Sequence, residues 1–99
     1  MITNTYERGA LMDFVTTPFN AAGSIVTPAS VVLTIDYPTR AGARTSTQIS
    51  MTPGVNGTWV AEWDTSIAGR GMVEWSIDTV NPVSADQGQF NIKVNRASP

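Results

Sequence analysis

Eight carboxylates, six cations and a scatter of hydroxyls are what this chain offers for polar chemistry, because its 99 residues hold neither histidine nor cysteine. Missing histidine removes the usual general base near neutral pH and the commonest zinc ligand. Missing cysteine removes thiolate chemistry and any disulfide framework. Serine and threonine nucleophiles therefore have no histidine base, and no G-x-S-x-G elbow is present. Asp64, Asp78 and Asp86 are the acids to weigh for calcium. None lies in a D-x-D-x-D-G spacing, and each sits beside a turn or on an outward strand position, so solvated acids are expected. Glu62 and Glu74 fall on outward phases, where pairing across a sheet or with Lys93 contributes about 0–1 kcal/mol. Lys93, the sole lysine, also points to solvent by phase. No catalytic, cofactor-binding or metal residues are expected, and no enzyme.

Charge and targeting narrow the classes further. The formal net charge is −2, and Arg8, Arg40, Arg44, Arg70, Lys93 and Arg96 are dispersed along the chain. Nucleic-acid binding draws on a concentrated basic patch, so no nucleic-acid partner is expected. The opening Met1 to Arg8 has neither a basic n-region nor an apolar h-region, and no stretch approaches the ~20 apolar residues of a membrane helix. The expectation is a protein made in a cytoplasm, without signal peptide or membrane contact.

The elements that would position these residues read as strands. All three tryptophans lie in Gly57–Asp64 and Gly71–Ile77, at one phase of a two-residue alternation: Trp59, Ala61 and Trp63, then Val73, Trp75 and Ile77. A period of two marks a half-buried strand, since successive side chains point to opposite faces. Indoles bury a large apolar area, so Trp59, Trp63, Trp75 and the later Phe90 are expected to define one core rather than a stacking platform for sugars or bases.

In chain order, Gly9 to Phe19 alternates Met12, Phe14 and Thr16 against Leu11, Asp13 and Val15 until Pro18 breaks the ladder and Phe19 falls out of phase. Asn20 to Gly23 is a turn by residue type, and Ser24 to Ser30 is irregular around Pro28. Val31, Leu33 and Ile35 begin a strand closed by Tyr37-Pro38. Arg44 to Met51 resembles an edge strand, with Thr45, Thr47, Ile49 and Met51 inward. Asn56-Gly57 predicts a type I′ hairpin turn, because both residues tolerate positive φ. Thr65 to Ala68 suits one short helical or 3₁₀ turn, and Val83 to Gln87 is a polar loop before Phe90, Ile92 and Val94. About seven short strands at roughly ten-residue spacing predict an all-β, immunoglobulin-like antiparallel β-sandwich. One domain over residues 1–99 is expected, with an N-terminal arm at 1–6 and a tail at 96–99.

These residues support a resemblance. Gly57-Thr58-Trp59-x-Ala61-x-Trp63-Asp64, Gly71-x-Val73-x-Trp75-x-Ile77 and Gly88-x-Phe90-x-Ile92-x-Val94 look like the E, F and G strands of filamin-type and bacterial immunoglobulin-like domains. Over nearly its whole length the chain resembles small single-domain structural proteins of tailed bacteriophages, through Tyr6-Glu7-Arg8-Gly9, Asn20-Ala21-Ala22-Gly23, Pro28-x-x-Val31-x-Leu33 and Ala85-Asp86-x-Gly88-x-Phe90. It departs from that pattern in the Trp59/Trp63 pair and in a second-strand aromatic, Phe19, set one position late. The resemblance implies a non-enzymatic virion structural protein. Foremost is a capsid decoration (cement) protein docked in many copies on the major capsid protein; the alternatives are a neck (head–tail connector) or tail-associated protein. A carbohydrate-binding or adhesive module, making weak glycan contacts, is the reading from another class.

Phase also sorts the surfaces. Val32, Thr34, Asp36, Glu74, Ser76, Asp78, Asn91, Lys93 and Asn95 make one outer face almost wholly polar. On the other, Leu11, Val15 and Val60 beside Asp13 and Glu62 form a candidate docking patch. The arm ending at Tyr6 is a second candidate contact, since an extended arm can add to a neighbour's sheet edge.

Overall fold

A computed structural model describes residues 5–19, 22–80 and 84–93. Among them are eight strands: β1 (Thr5–Glu7), β2 (Leu11–Thr16), β3 (Ser30–Pro38), β4 (Arg44–Ser50), β5 (Thr52–Pro53), β6 (Trp59–Asp64), β7 (Gly71–Val80) and β8 (Ser84–Lys93). They form a five-stranded sheet in the order β1-β8-β7-β3-β4 and a three-stranded sheet in the order β2-β6-β5. All pairings are antiparallel except that of β1 with β8. Placing β3, β7 and β8 in one sheet and β2, β6 and β5 in the other is the immunoglobulin-like division of strands, with β4 added beside β3.

Alternation built the strands and also assigns their inner faces. Leu33 and Ile35 in β3, Val73 and Ile77 in β7, and Phe90 and Ile92 in β8 are fully or almost fully buried. Opposite them, β2 and β6 contribute Phe14 and Trp63. The aromatic rings join the two layers. Phe90 lies 5.5 Å from Tyr6, 6.5 Å from Phe14 and 6.4 Å from Trp63, and Trp63 lies 5.2 Å from Tyr37. Offset and edge-on aromatic pairs at such separations add about 0.5–1.5 kcal/mol each beyond their buried area.

The tryptophans are not equal. Trp63 is 4% exposed, whereas Trp59 and Trp75 are half-buried and pack against the rim of the core. Trp59 starts β6 at one end of the sandwich, and Trp75 lies opposite Gly88 near its open side. An indole at such a margin is seldom fully covered, because of its size.

Two further expectations change. Ser84 to Gln87, read as loop, already belongs to β8 and pairs with β7 from Ser76 to Thr79. Polar residues suffice there, since a long β7 supplies the ladder and β-propensity yields to tertiary pairing. Thr5 and Tyr6, read as part of an N-terminal arm, lie in β1 on the protein's own sheet. The remaining arm residues, 1–4, and the tail at 96–99 lie outside the described residues, as do Val94 and Asn95.

The Asn-Gly turn is present. Asn56 has φ 55° and ψ 38°, Gly57 has φ 78°, and Thr58 N–H donates to the Val55 carbonyl at 3.1 Å. A short 3₁₀ turn at Thr65–Ile67 follows β6, and the Asp64 carboxylate caps it by accepting from Ser66 N–H at 2.8 Å.

Candidate functional site

Strand direction gathers three connections at one end of the sandwich. β2 finishes at Thr16 opposite Trp59, where β6 begins, and β5 lies against the same first residues of β6. Met51 N–H donates to the Val31 carbonyl at 2.9 Å, tying this end to the start of β3. Val80, the last residue of β7, pairs with Ser30, the first of β3. The β2–β3 loop, the β5–β6 hairpin and the end of β7 therefore share one rim.

That rim is apolar. Eight large hydrophobic residues are exposed among the described residues, and six of them, Val15, Phe19, Ile25, Val55, Val60 and Val80, lie at or beside this end. Phe19 is 55% exposed and Val55, at the hairpin tip, 77%. Exposed apolar side chains gathered at loop tips make this rim a candidate contact surface.

The loops are held in place. Phe19 forms a β-bridge with Ile25, Val26 N–H donates to the Pro18 carbonyl at 3.0 Å, and Pro18 is buried. Ile25 then meets the hairpin: a Cβ added to Gly57 would lie 2.7 Å from Ile25 Cγ2. Gly57 is thus required twice, for its positive φ and for space. On the other side of the hairpin, a Cβ at Gly54 would approach Val60 Cγ1 at 3.4 Å, linking the tip to the outer face of β6.

The outer face of the three-stranded sheet continues the surface. Val15 and Val60 stand directly opposite each other above a shallow hollow of about 420 Å³, bordered by Thr52, Asp13 and Glu62. Leu11, expected in the same patch, is 60% exposed but pairs with Asp64 toward the far end. The Asp13–Glu62 pair separates it from the valines, so Leu11 is not part of one apolar surface with them. Tyr6 is half-buried, with its ring edge-on against Phe90 at 89°, so one side of it packs on the protein's own core.

The charged contacts around Asp64 and Arg44 brace the fold locally. Ser66, through its backbone N–H first and its side chain second, holds the Asp64 carboxyl below its ordinary value of 3.8, against a smaller opposing effect of desolvation. That is the capping arrangement of the 3₁₀ turn. Arg44 donates to the Asp36 carboxylate at 2.7 Å and to the Met72 carbonyl at 2.9 Å, clipping β4 and β7 to β3 on the surface. Among the described residues, no three His, Cys, Asp or Glu side chains gather closely enough to hold a metal ion. The outer face of the five-stranded sheet is polar as read, with Thr34 beside Ser76, and Asp36 beside Glu74. All three indoles sit on inward phases.

Phe19, Ile25, Val55 and Val80 were missing from the docking residues read from sequence. Phe19 was visible as an out-of-phase aromatic after Pro18, and Val55 as an aliphatic side chain inside a Pro-Gly-x-Asn-Gly turn. Their convergence was not visible, because it depends on which connections share an end. Comparison with protein-family models, with curated proteins and with solved structures finds no match.

Proposed function

We propose that this chain is a non-enzymatic attachment protein of a tailed-bacteriophage virion. It docks in multiple copies on another virion protein, foremost the major capsid protein as a decoration protein. The observation that carries the attachment reading is the concentration of exposed Phe19, Ile25, Val55, Val80, Val15 and Val60 at one end of the sandwich. Burying such side chains stabilises a complex by about 25 cal/mol per Å² of apolar area. A small interface suffices when a symmetric particle repeats it many times. The phage assignment draws on the sequence resemblance in Tyr6-Glu7-Arg8-Gly9 and the E, F and G strand motifs, and it agrees with the immunoglobulin-like sandwich.

Quantitative mass spectrometry of particles produced with the gene present tests both parts. Hundreds of copies per particle are expected for decoration. Six or twelve copies would move the chain to the neck or tail, and absence from purified particles would overturn the virion reading. The double variant Phe19→Ser/Val55→Ser is expected to fold and to be lost from particles. Retention at the wild-type copy number would remove the loop end as the attachment surface.

A further inference from the structure

Among the described residues, the side of the sandwich between β2 and β8 is open, and we propose that it accepts one extended strand from a partner protein, with apolar residues alternating with lysine or arginine. The inference stands on the free edge of β2, which meets the loop-end surface at Asp13 and Val15, and does not depend on the virion reading.

The backbone supplies the first observation. Among the described residues, β2 pairs with β6 on one side only, which leaves a row of N–H and C=O groups unpaired on the other. Such an edge is a template for another strand, and proteins usually blunt it with proline, lysine, a bulge or brevity. The other edges are blunted or polar. Among the described residues, β5 is two residues long and contains Pro53, β1 is three residues long, and β4 reads Arg-Thr-Ser-Thr-Gln-Ile-Ser. β2 reads Leu-Met-Asp-Phe-Val-Thr over six residues, with no proline, lysine or glycine.

The cleft beside that edge supplies the second. Among the described residues, β1 covers β8 only at Asn91–Lys93, and above it a cleft of about 320 Å³ opens between the sheets. Met12, Phe14, Trp75, Ile77, Gly88 and Phe90 line it. Trp75 is half-buried here, with its indole 5.6 Å from Phe14. A strand laid along β2 would send every second side chain into this cleft, so those residues must be apolar.

Charge selects the rest. On the outer face of β2, Asp13 stands directly opposite Glu62, and like charges in that position are unfavourable. An added strand would place its outward side chains beside Asp13. Lysine or arginine there would relieve the pair. A second copy of this chain would bring a further Asp13 and Glu62 to the same place, so the charge argues against self-pairing.

Hydrogen exchange of the full chain with synthetic peptides tests the proposal. The probe is the acetylated, amidated heptapeptide Lys-Val-Lys-Ile-Lys-Val-Lys, used at about 0.15 M salt, where long-range attraction is screened. It is expected to slow exchange of the Leu11–Thr16 amides about tenfold or more at saturation. Glu-Val-Glu-Ile-Glu-Val-Glu is expected to leave them unchanged, and Asp13→Lys/Glu62→Lys should reverse the preference. A peptide of equal charge with proline replacing isoleucine should give no protection, and equal protection by it would overturn the proposal. Three other outcomes would also overturn it: protection confined to β4, full protection in the free chain, or protection that rises with protein concentration alone.

Discussion

The indole of Trp75 occupies the space that a side chain at residue 88 would need. A Cβ added to Gly88, its cross-strand partner, would lie 2.5 Å from Trp75 Cζ2 and 2.9 Å from Nε1. Glycine within a strand is usually a weakness, and here it makes room for the largest side chain of β7.

Gly88→Ala and Gly88→Val should therefore push Trp75 out of the cleft. Overpacking of this kind costs about 1–3 kcal/mol, more for valine. Urea denaturation should show a lower midpoint, accompanied by a red shift of tryptophan emission in the folded state. An unchanged emission maximum would mean that the indole does not depend on the glycine.

Trp63 is the costliest tryptophan to truncate. It is 4% exposed and touches both Tyr37 and Phe90, so Trp63→Ala should lose about 3–5 kcal/mol. Its buried Nε1 has no hydrogen-bond partner among the described residues, and leaving such a donor unmet costs about 1–3 kcal/mol. Trp63→Phe removes that unmet donor along with part of the ring, so its net cost should be less than half that of alanine by equilibrium denaturation.

Asp13 and Glu62 face each other on exposed strand positions without a cation between them in the ladder. Glu62→Lys turns repulsion into attraction and should raise stability by about 0.2–1 kcal/mol. The gain should shrink in about 1 M salt, where the screening length falls to about 3 Å. A salt-independent gain would locate the effect elsewhere.

The Asp64 cap has a defined pH signature. Its carboxyl is held below 3.8 in the folded state, so it binds protons less readily folded than unfolded. Its contribution is present above 3.8 and is lost as pH falls through the lowered value. Asp64→Asn should melt below wild type at neutral pH, and the difference should close as the pH is taken below 3.8. A difference that stays constant across that range would exclude the charged cap.

Thr65 stitches the β1–β2 corner to the end of β6. Its hydroxyl accepts from Gly9 N–H at 2.9 Å and donates to the Ala10 carbonyl at 2.8 Å, fully buried. Thr65→Val keeps the shape and leaves the Gly9 N–H without its acceptor, while the Ala10 carbonyl still accepts from the residue 65 N–H at 3.1 Å, so thermal or urea unfolding should show a loss of about 1–3 kcal/mol. Thr65→Ser should retain most of the stability.

Much of the fold was legible because alternation is a local property. Val31, Leu33 and Ile35, then Val73 and Ile77, then Phe90 and Ile92 all fall on the faces their phase assigns. The Asn56-Gly57 turn and the 3₁₀ turn after Asp64 were legible for the same reason: φ preference and capping act over three or four residues. β1 and the first half of β8 were not. Ser84 to Gln87 carries no strand pattern of its own and is extended because β7 offers it a ladder.

The docking residues divide along the same line. Phase alone placed Val15 and Val60 outward, and β2–β6 pairing made them neighbours. The same register set Leu11 apart from them. Tyr6 needed a parallel partner many residues away before its ring could be assigned to the core.

By itself, the sequence determined the strand class, the inward phase of the indoles, the chief turns and the lack of histidine and cysteine chemistry, since composition, alternation and turn propensity act locally along the chain. Only tertiary structure decided that Phe19, Ile25, Val55 and Val80 share one rim, that Trp63 alone among the indoles is sealed, and that β2 has an open edge among the described residues. Those outcomes depend on which strands pair and in which direction, and that is settled by contacts between residues far apart in sequence.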